Sequence, residues 1–234
     1  MPYRDLVHIH QTAELAERVL LPGDPGRALR LAQELLEAPK MLNHNRGLWG
    51  YTGTAADGRP LSIQSTGMGG SSAAIVASEL IELGARRLLR IGTCGGIDPG
   101  LELGQLLVVG EAIADDGTSQ ALGGYDPLAR VGAPGVLTEA LIDSDPPGDL
   151  RIAVVVSTDL FYDADERIAS WVAAGAHAVD MEAATIFTLA AKRGVEAGCV
   201  LLVSNILGES RYIEADSLHA AELRLGKLAI AALT

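Results

Sequence analysis

Apolar runs bounded by glycine, proline and aspartate recur along this chain, with stretches of helical period between them. The runs predict strands at 18–21, 49–55, 61–66, 86–92, 105–114, 150–157, 177–181 and 197–204. The segments between them predict helices at about 24–37, 70–84, 135–143, 164–174, 182–193 and 215–233. The last helix has the clearest period: Leu218, Ala221, Leu225, Leu228 and Ala232 step by three and four and form one apolar face. Ile152 to Val156 and Val200 to Val203 are apolar throughout, so both faces of these strands need cover. That pattern predicts an α/β fold with a mostly parallel sheet wrapped by helices. Residues 115–149 are rich in Gly, Pro and Asp and read as a long loop beside the sheet. With no repeat, low-complexity tract or linker, 234 residues suit one domain spanning 1–234.

Composition narrows the function classes. Apolar residues make up 48% and charged residues 21%, an ordinary globular balance, and no apolar run approaches a membrane span. The first twenty residues carry Arg4, Asp5, Glu14, Glu17 and Arg18 and show no signal-peptide core, so the default expectation is a cytoplasmic protein. Two cysteines and five histidines show no disulfide framework and no metal-ligand spacing. A net charge of −12 argues against nucleic acid as a partner. It also means that a small anion is held only where local arginines override the overall field.

Arg90 is the candidate for that role. It sits in the apolar run Leu88-Leu89-Arg90-Ile91, which empties into Gly92-Thr93-Cys94-Gly95-Gly96. A buried charge needs a partner, and a glycine-rich turn presents backbone N–H groups to a ligand. The plainer alternative is an arginine at a strand end whose head reaches water. Open α/β sheets bind ligands beyond the carboxyl ends of their strands, and four more motifs lie at such ends. Leu21-Pro22-Gly23-Asp24-Pro25-Gly26-Arg27 turns a strand into a helix, whose first N–H groups attract anions; equally, Asp24 is an ordinary N-cap and Arg27 a solvated residue. Asn43 to Tyr51 forms a polar turn with Arg46 at its tip, or an ordinary hairpin. Val179-Asp180-Met181-Glu182 delivers two carboxylates to a helix start, fit for capping or for gripping vicinal hydroxyls. Ser204-Asn205 ends a strand, with Asn205 able to donate to or accept from a heterocycle edge. Gly67-Met68-Gly69-Gly70 opens a helix but does not match a dinucleotide fingerprint.

The ordered set PGDPGR (22–27), NRGLWGYTG (45–53), STGMGGSSAAI (65–75), RIGTCGG (90–96), DMEAA (180–184) and VSN (203–205) resembles the bacterial purine nucleoside phosphorylase and uridine phosphorylase family, and is most similar to its hexameric purine type. The resemblance implies a three-layer α/β/α fold around a mixed, largely parallel sheet. It implies phosphorolysis, in which inorganic phosphate attacks C1′ of a nucleoside and releases the base, with no metal and no cofactor. It assigns phosphate to Gly23, Arg27, Arg90 and Thr93, with Arg46 lent by the neighbouring subunit. The ribose falls to Met181 and Glu182, with His8 (or, one register over, His10) lent to the 5′-hydroxyl. The base falls to Cys94, Gly95, Phe161, Asp180, Ser204 and Asn205. Arg90 and Asn205 then carry the catalysis. Borrowed residues imply at least a two-fold dimer, and the family suggests three dimers in a hexamer.

Two departures bear on specificity. Purine phosphorylases that handle adenosine commonly place Asp where this chain has Asn205, and a protonated Asp serves as an acid at N7. An amide only donates a hydrogen bond, which suits the O6/N7 edge of guanine or hypoxanthine and predicts guanosine and inosine over adenosine. Asp180 replaces the family's usual Glu, and its shorter reach counts against a direct base contact. Uridine phosphorylase is the alternative: Asn205 fits it, but Asp165 stands where its uracil-reading Gln belongs and Arg167 alone matches. A hydrolytic nucleosidase lacks the phosphate arginines and carries Asp at 205. A non-catalytic nucleoside-binding protein is the remaining class.

Overall fold

The computed structural model describes residues 6–145, 150–162, 164–209 and 211–234. Among the described residues, eleven strands join one sheet. In chain order the elements are β1 (Arg18–Leu21), α1 (Pro25–Leu35), β2 (Leu36–Asn43), β3 (Gly50–Ala55), β4 (Pro60–Gln64), α2 (Gly69–Glu82), β5 (Arg87–Gly96), β6 (Leu106–Asp115) and α3 (Gly117–Gly123). There follow β7 (Ala129–Gly132), α4 (Leu137–Asp143), β8 (Arg151–Thr158), α5 (Asp165–Ala173), β9 (Ala178–Asp180), α6 (Ala183–Arg193), β10 (Glu196–Ile206), β11 (Arg211–Tyr212) and α7 (Ala215–Ala232). None of the described helices is long and apolar enough to cross a membrane.

The continuous apolar strands are covered on both faces, and alternation decides which face each side chain meets. Along β1, Val19 and Leu21 join one core cluster and Leu20 the other. Along β10, Cys199, Leu201 and Val203 face one cluster while Val200 and Leu202 face the second. The first cluster is roofed by α2 and α6, through Val76, Leu80, Ile186 and Phe187. The second is roofed by α1, α4 and α7, through Leu31, Leu141 and Leu225. A third, smaller cluster seats Trp171 of α5 on Ile113 and Val156. Each large side chain fully buried in this way contributes about 1.5–3 kcal/mol.

The sheet is less parallel than its sequence pattern suggests. Parallel pairs join β1–β4, β1–β5, β5–β10, β6–β8 and β8–β9, but antiparallel pairs join β2–β3, β3–β4, β5–β9, β6–β7, β6–β10 and β10–β11. Because β10 pairs with both β5 and β6, the strands β5, β10, β6, β8 and β9 close into a ring, with β1, β4, β3 and β2 extending from it as a wing. Residues 115–149 are not one long loop: they hold α3, β7 and α4. The first helix also stops short, at Leu35, and β2 begins at once. That strand is an exposed edge from Glu37 to Met41, with Pro39 within it and Ala38 at φ 45°, so it shows none of the alternation that marks a half-buried strand.

Candidate active site

Arg90 is 3% exposed and does not reach water. Strand β9 runs antiparallel to β5, pairing Val179 with Gly95, so the chain leaving β9 travels back along β5 toward Arg90. It brings two carboxylates with it. Arg90 Nε donates to Asp180 Oδ2 at 3.0 Å, and Nη2 meets Glu182 Oε2 at 2.5 Å. Burial by itself disfavours the charged guanidinium, but Glu182 and then Asp180 outweigh it and raise its pKa. The guanidinium folds back over Gly92, where a Cβ would lie 2.8 Å from Nη2, so only glycine leaves room for it.

Glu182 has a second attachment. Its Oε1 accepts from the backbone N of Gly69 at 2.6 Å, the first residue of α2, so one carboxylate joins a helix start to Arg90. Burial pushes the Glu182 carboxyl up, Arg90 opposes the rise, and Asp180 adds to it. Asp180 corrects an expectation. The resemblance assigns it to the base, but its Oδ2 takes Arg90 Nε and the backbone N of Ala183, and its Oδ1 takes Ser157 Oγ at 2.6 Å. At 4% exposure it holds Arg90 and caps α6.

The parallel register of β1 and β5 sets Leu21 opposite Arg90, so the Pro22–Gly23 turn and the Gly92–Thr93 stretch emerge at the same sheet end. Asp24 is the N-cap of α1, accepting from Gly26 N and Arg27 N at 2.9 Å. Arg27 is not a solvated residue: it is 7% exposed, and its Nε donates to Glu222 Oε1 at 2.7 Å. The other oxygen of Glu222 takes Arg30 Nη2 at 2.8 Å. Neither terminal nitrogen of Arg27 has a hydrogen-bond partner among the described residues. Sequence reasoning missed Glu222, although a signal was there: it falls between Leu218 and Leu225 on the buried face of α7.

Near the end of β10, the β5–β10 register slips between Val203 and Asn205. A bulge of this kind re-aims side chains, and here it turns out Ser204 and Asn205, both half-buried. Ser204 Oγ lies 3.2 Å from the Cys94 carbonyl and 3.1 Å from Asn205 Oδ1. The Asn205 amide N, the one donor of its side chain, has no hydrogen-bond partner among the described residues. That nitrogen is 3.4 Å from where a Cβ on Gly95 would sit. Burial pushes the Cys94 thiol up, so it stays protonated and packs as a small apolar group in the core. Met181 and Thr93 are half-buried. Phe161 is 74% exposed and meets Tyr162 edge-on at 4.9 Å, so the chain alone does not seat it as a wall. Arg167, the partial match to a uracil-reading arginine, has Nη2 at 2.5 Å from Asp115 Oδ1, whose other oxygen takes Trp171 Nε1. Asp163 and the side chain of Asp165 lie outside the described part.

His8 and Arg46 meet elsewhere on the chain. They line one open cavity of about 290 Å³ with Leu48 and the α2 residues Ser71, Ser72 and Ile75. Arg46 is exposed at the tip of a short turn with φ 56°, in the left-handed region. Among the described residues, no hydrogen bond or ion pair links either one to Arg27, Arg90 or Glu182. His10 is exposed and does not line this cavity.

The sequence has known relatives. A family model described as the phosphorylase superfamily matches residues 17–234. A DeoD-type purine nucleoside phosphorylase of Caldanaerobacter subterraneus is 35% identical over 229 residues, covering 96% of this chain and 98% of the relative. One from Clostridium novyi is 38% identical, over 82% of this chain and 83% of its own. A guanosine phosphorylase of Halorubrum lacusprofundi is 34% identical, over 88% and 86% respectively. By its fold, its strand-end site and these matches across nearly its whole length, the chain belongs to the phosphorylase superfamily.

Proposed function

We propose that this protein cleaves purine nucleosides by phosphorolysis, guanosine and inosine before adenosine, releasing the free base and ribose 1-phosphate. The observation that carries the reading is the Arg90–Glu182 contact. One joint fixes an anion-binding guanidinium beside a hydroxyl-accepting carboxylate, as attack of phosphate on a sugar carbon requires. In this reading Gly23, Arg27, Arg90 and Thr93 hold phosphate, and Glu182 with Met181 holds the ribose. As the oxygen–C1′ bond forms and the bond to the base breaks, negative charge moves onto the base, where Asn205 donates a hydrogen bond. Arg46 and His8 complete a neighbour's site, so the working unit is at least a dimer, and we place it in a hexamer in the cytoplasm. Phosphate is the co-substrate and no cofactor takes part. The relatives named as purine nucleoside and guanosine phosphorylases support the reaction, and the commitment of Arg167 to Asp115 favours a purine over uracil.

Initial rates with guanosine, inosine, adenosine and uridine, with and without added phosphate, test this. Phosphate-dependent release, fastest with the two 6-oxopurines, is expected. Release without phosphate means a hydrolase, and no release means a binding protein. Asn205→Asp is expected to raise the adenosine-to-guanosine rate ratio by about tenfold or more, since a protonated carboxyl supplies an acid that the amide cannot. An unchanged ratio sinks the account of base choice. Arg27→Ala is expected to raise KM for phosphate about tenfold while leaving KM for nucleoside in place. Glu222 keeps Arg30 in that variant, so the fold should lose little.

A further inference from the structure

The chain's entry into the fold hangs on one carboxylate. Glu79, in the third turn of α2, accepts from the backbone N of Val7 at 3.2 Å, of His8 at 3.0 Å and of Ile9 at 2.7 Å. The same group meets the His8 ring, with Nδ1 at 2.8 Å from Oε1. Asn45, next to Arg46, ties the segment from the other side by donating to the carbonyls of Val7 and His8. Four donors converging on one carboxyl define its form. Burial favours the neutral acid, but the hydrogen bonds from His8, Ile9 and Val7 hold the carboxyl below its usual range. An ionised carboxylate only accepts, so Nδ1 must carry the ring proton of His8. In a neutral imidazole, Nε2 is then a bare acceptor. Among the described residues Nε2 has no hydrogen-bond partner, and the ring borders the cavity shared with Arg46.

We propose that Glu79 is a positioning residue that fixes the place and tautomer of His8, and thereby restricts the substrate to nucleosides whose 5′ group donates a hydrogen bond. A free 5′-hydroxyl qualifies, and 5′-deoxy and 5′-alkylthio nucleosides do not. This rests on the reading that His8 meets the 5′ end of a neighbour's ribose. It adds that His8 works only as Glu79 presents it, and that it reads the 5′ group as a donor.

The test compares kcat/KM for inosine and for 5′-deoxyinosine at saturating phosphate and one fixed pH. Wild type, His8→Ala, Glu79→Ala and the milder Glu79→Gln are compared. The wild-type ratio is expected to be about tenfold, the size of one well-placed hydrogen bond. His8→Ala should bring it near one, and Glu79→Ala should match His8→Ala. General damage to the fold lowers both substrates together and leaves the ratio at the wild-type value, which overturns the proposal. So does a wild-type ratio in both Glu79 variants while His8→Ala loses it, and in that case the role of His8 stands. If His8→Ala keeps the wild-type ratio, the placement of His8 at the 5′-hydroxyl fails, and the role of Glu79 fails with it.

Discussion

Arg90→Ala is expected to lose phosphorolysis by at least about a thousandfold and to destabilise the fold by about 3–5 kcal/mol. The stability loss comes from what stays behind. Asp180 and Glu182 are 4% and 5% exposed, and both lean on the guanidinium. Without it two like charges share a dry site, and at least one of them must take up a proton. The rate loss has two sources, because Arg90 is bonded to the residue assigned to the ribose. In the proposed roles phosphate loses a ligand and Glu182 loses the contact that aims it, so KM is expected to rise for phosphate and for nucleoside together. Arg27 differs here, since its carboxylate partner is Glu222 of α7 and not a residue proposed for the ribose. Urea unfolding and initial rates check both halves. A variant that unfolds like wild type and keeps its phosphate KM refutes the assignment of Arg90.

Much of this was legible in the chain, but not the connections. Arg90 announced itself as a charge that needed a partner, and DMEAA announced two carboxylates at a strand end. That these are one cluster follows only from the antiparallel return of β9 along β5, a pairing between residues more than 80 apart that no local period encodes. The same limit hid the ring, because β10 pairs with β5 on one side and β6 on the other while its own pattern is merely apolar. Edge elements failed for a different reason. β2 buries little beyond its ends, and α3 and β7 are short pieces in a Gly- and Asp-rich stretch, so hydrophobic periodicity had little to work on. Motif matching picked out Arg27, His8 and Asp180 and passed over the residues that hold them. Glu222, Glu79 and Ser157 lie outside every motif and act through Arg27, His8 and Asp180.

Glu182→Gln should remove most of the activity, by about a hundred- to a thousandfold, and should erase an acid limb from the pH profile. In the proposed role Glu182, as a carboxylate, accepts from two ribose hydroxyls while pairing with Arg90. Glutamine puts an amide N–H₂ in place of one oxygen, and that group faces either the Arg90 guanidinium or the backbone N–H of Gly69, donor against donor. The loss should be larger for inosine than for 2′-deoxyinosine, which has one hydroxyl fewer to hold. The pH argument follows from the raised carboxyl, which burial pushes up against the pull of Arg90. A carboxyl whose folded pKa exceeds its unfolded one binds protons more tightly in the native state. Its contribution to stability is therefore full below the unfolded value, about 4.3 for glutamate, and is lost as pH rises through the folded value. Activity runs the other way, because only the ionised form grips the hydroxyls. Wild type should thus show kcat/KM rising over the window in which this group's stabilisation fades, while Glu182→Gln lacks that rise in kcat/KM. An acid limb that survives in Glu182→Gln assigns it to another group and removes Glu182 from the ribose.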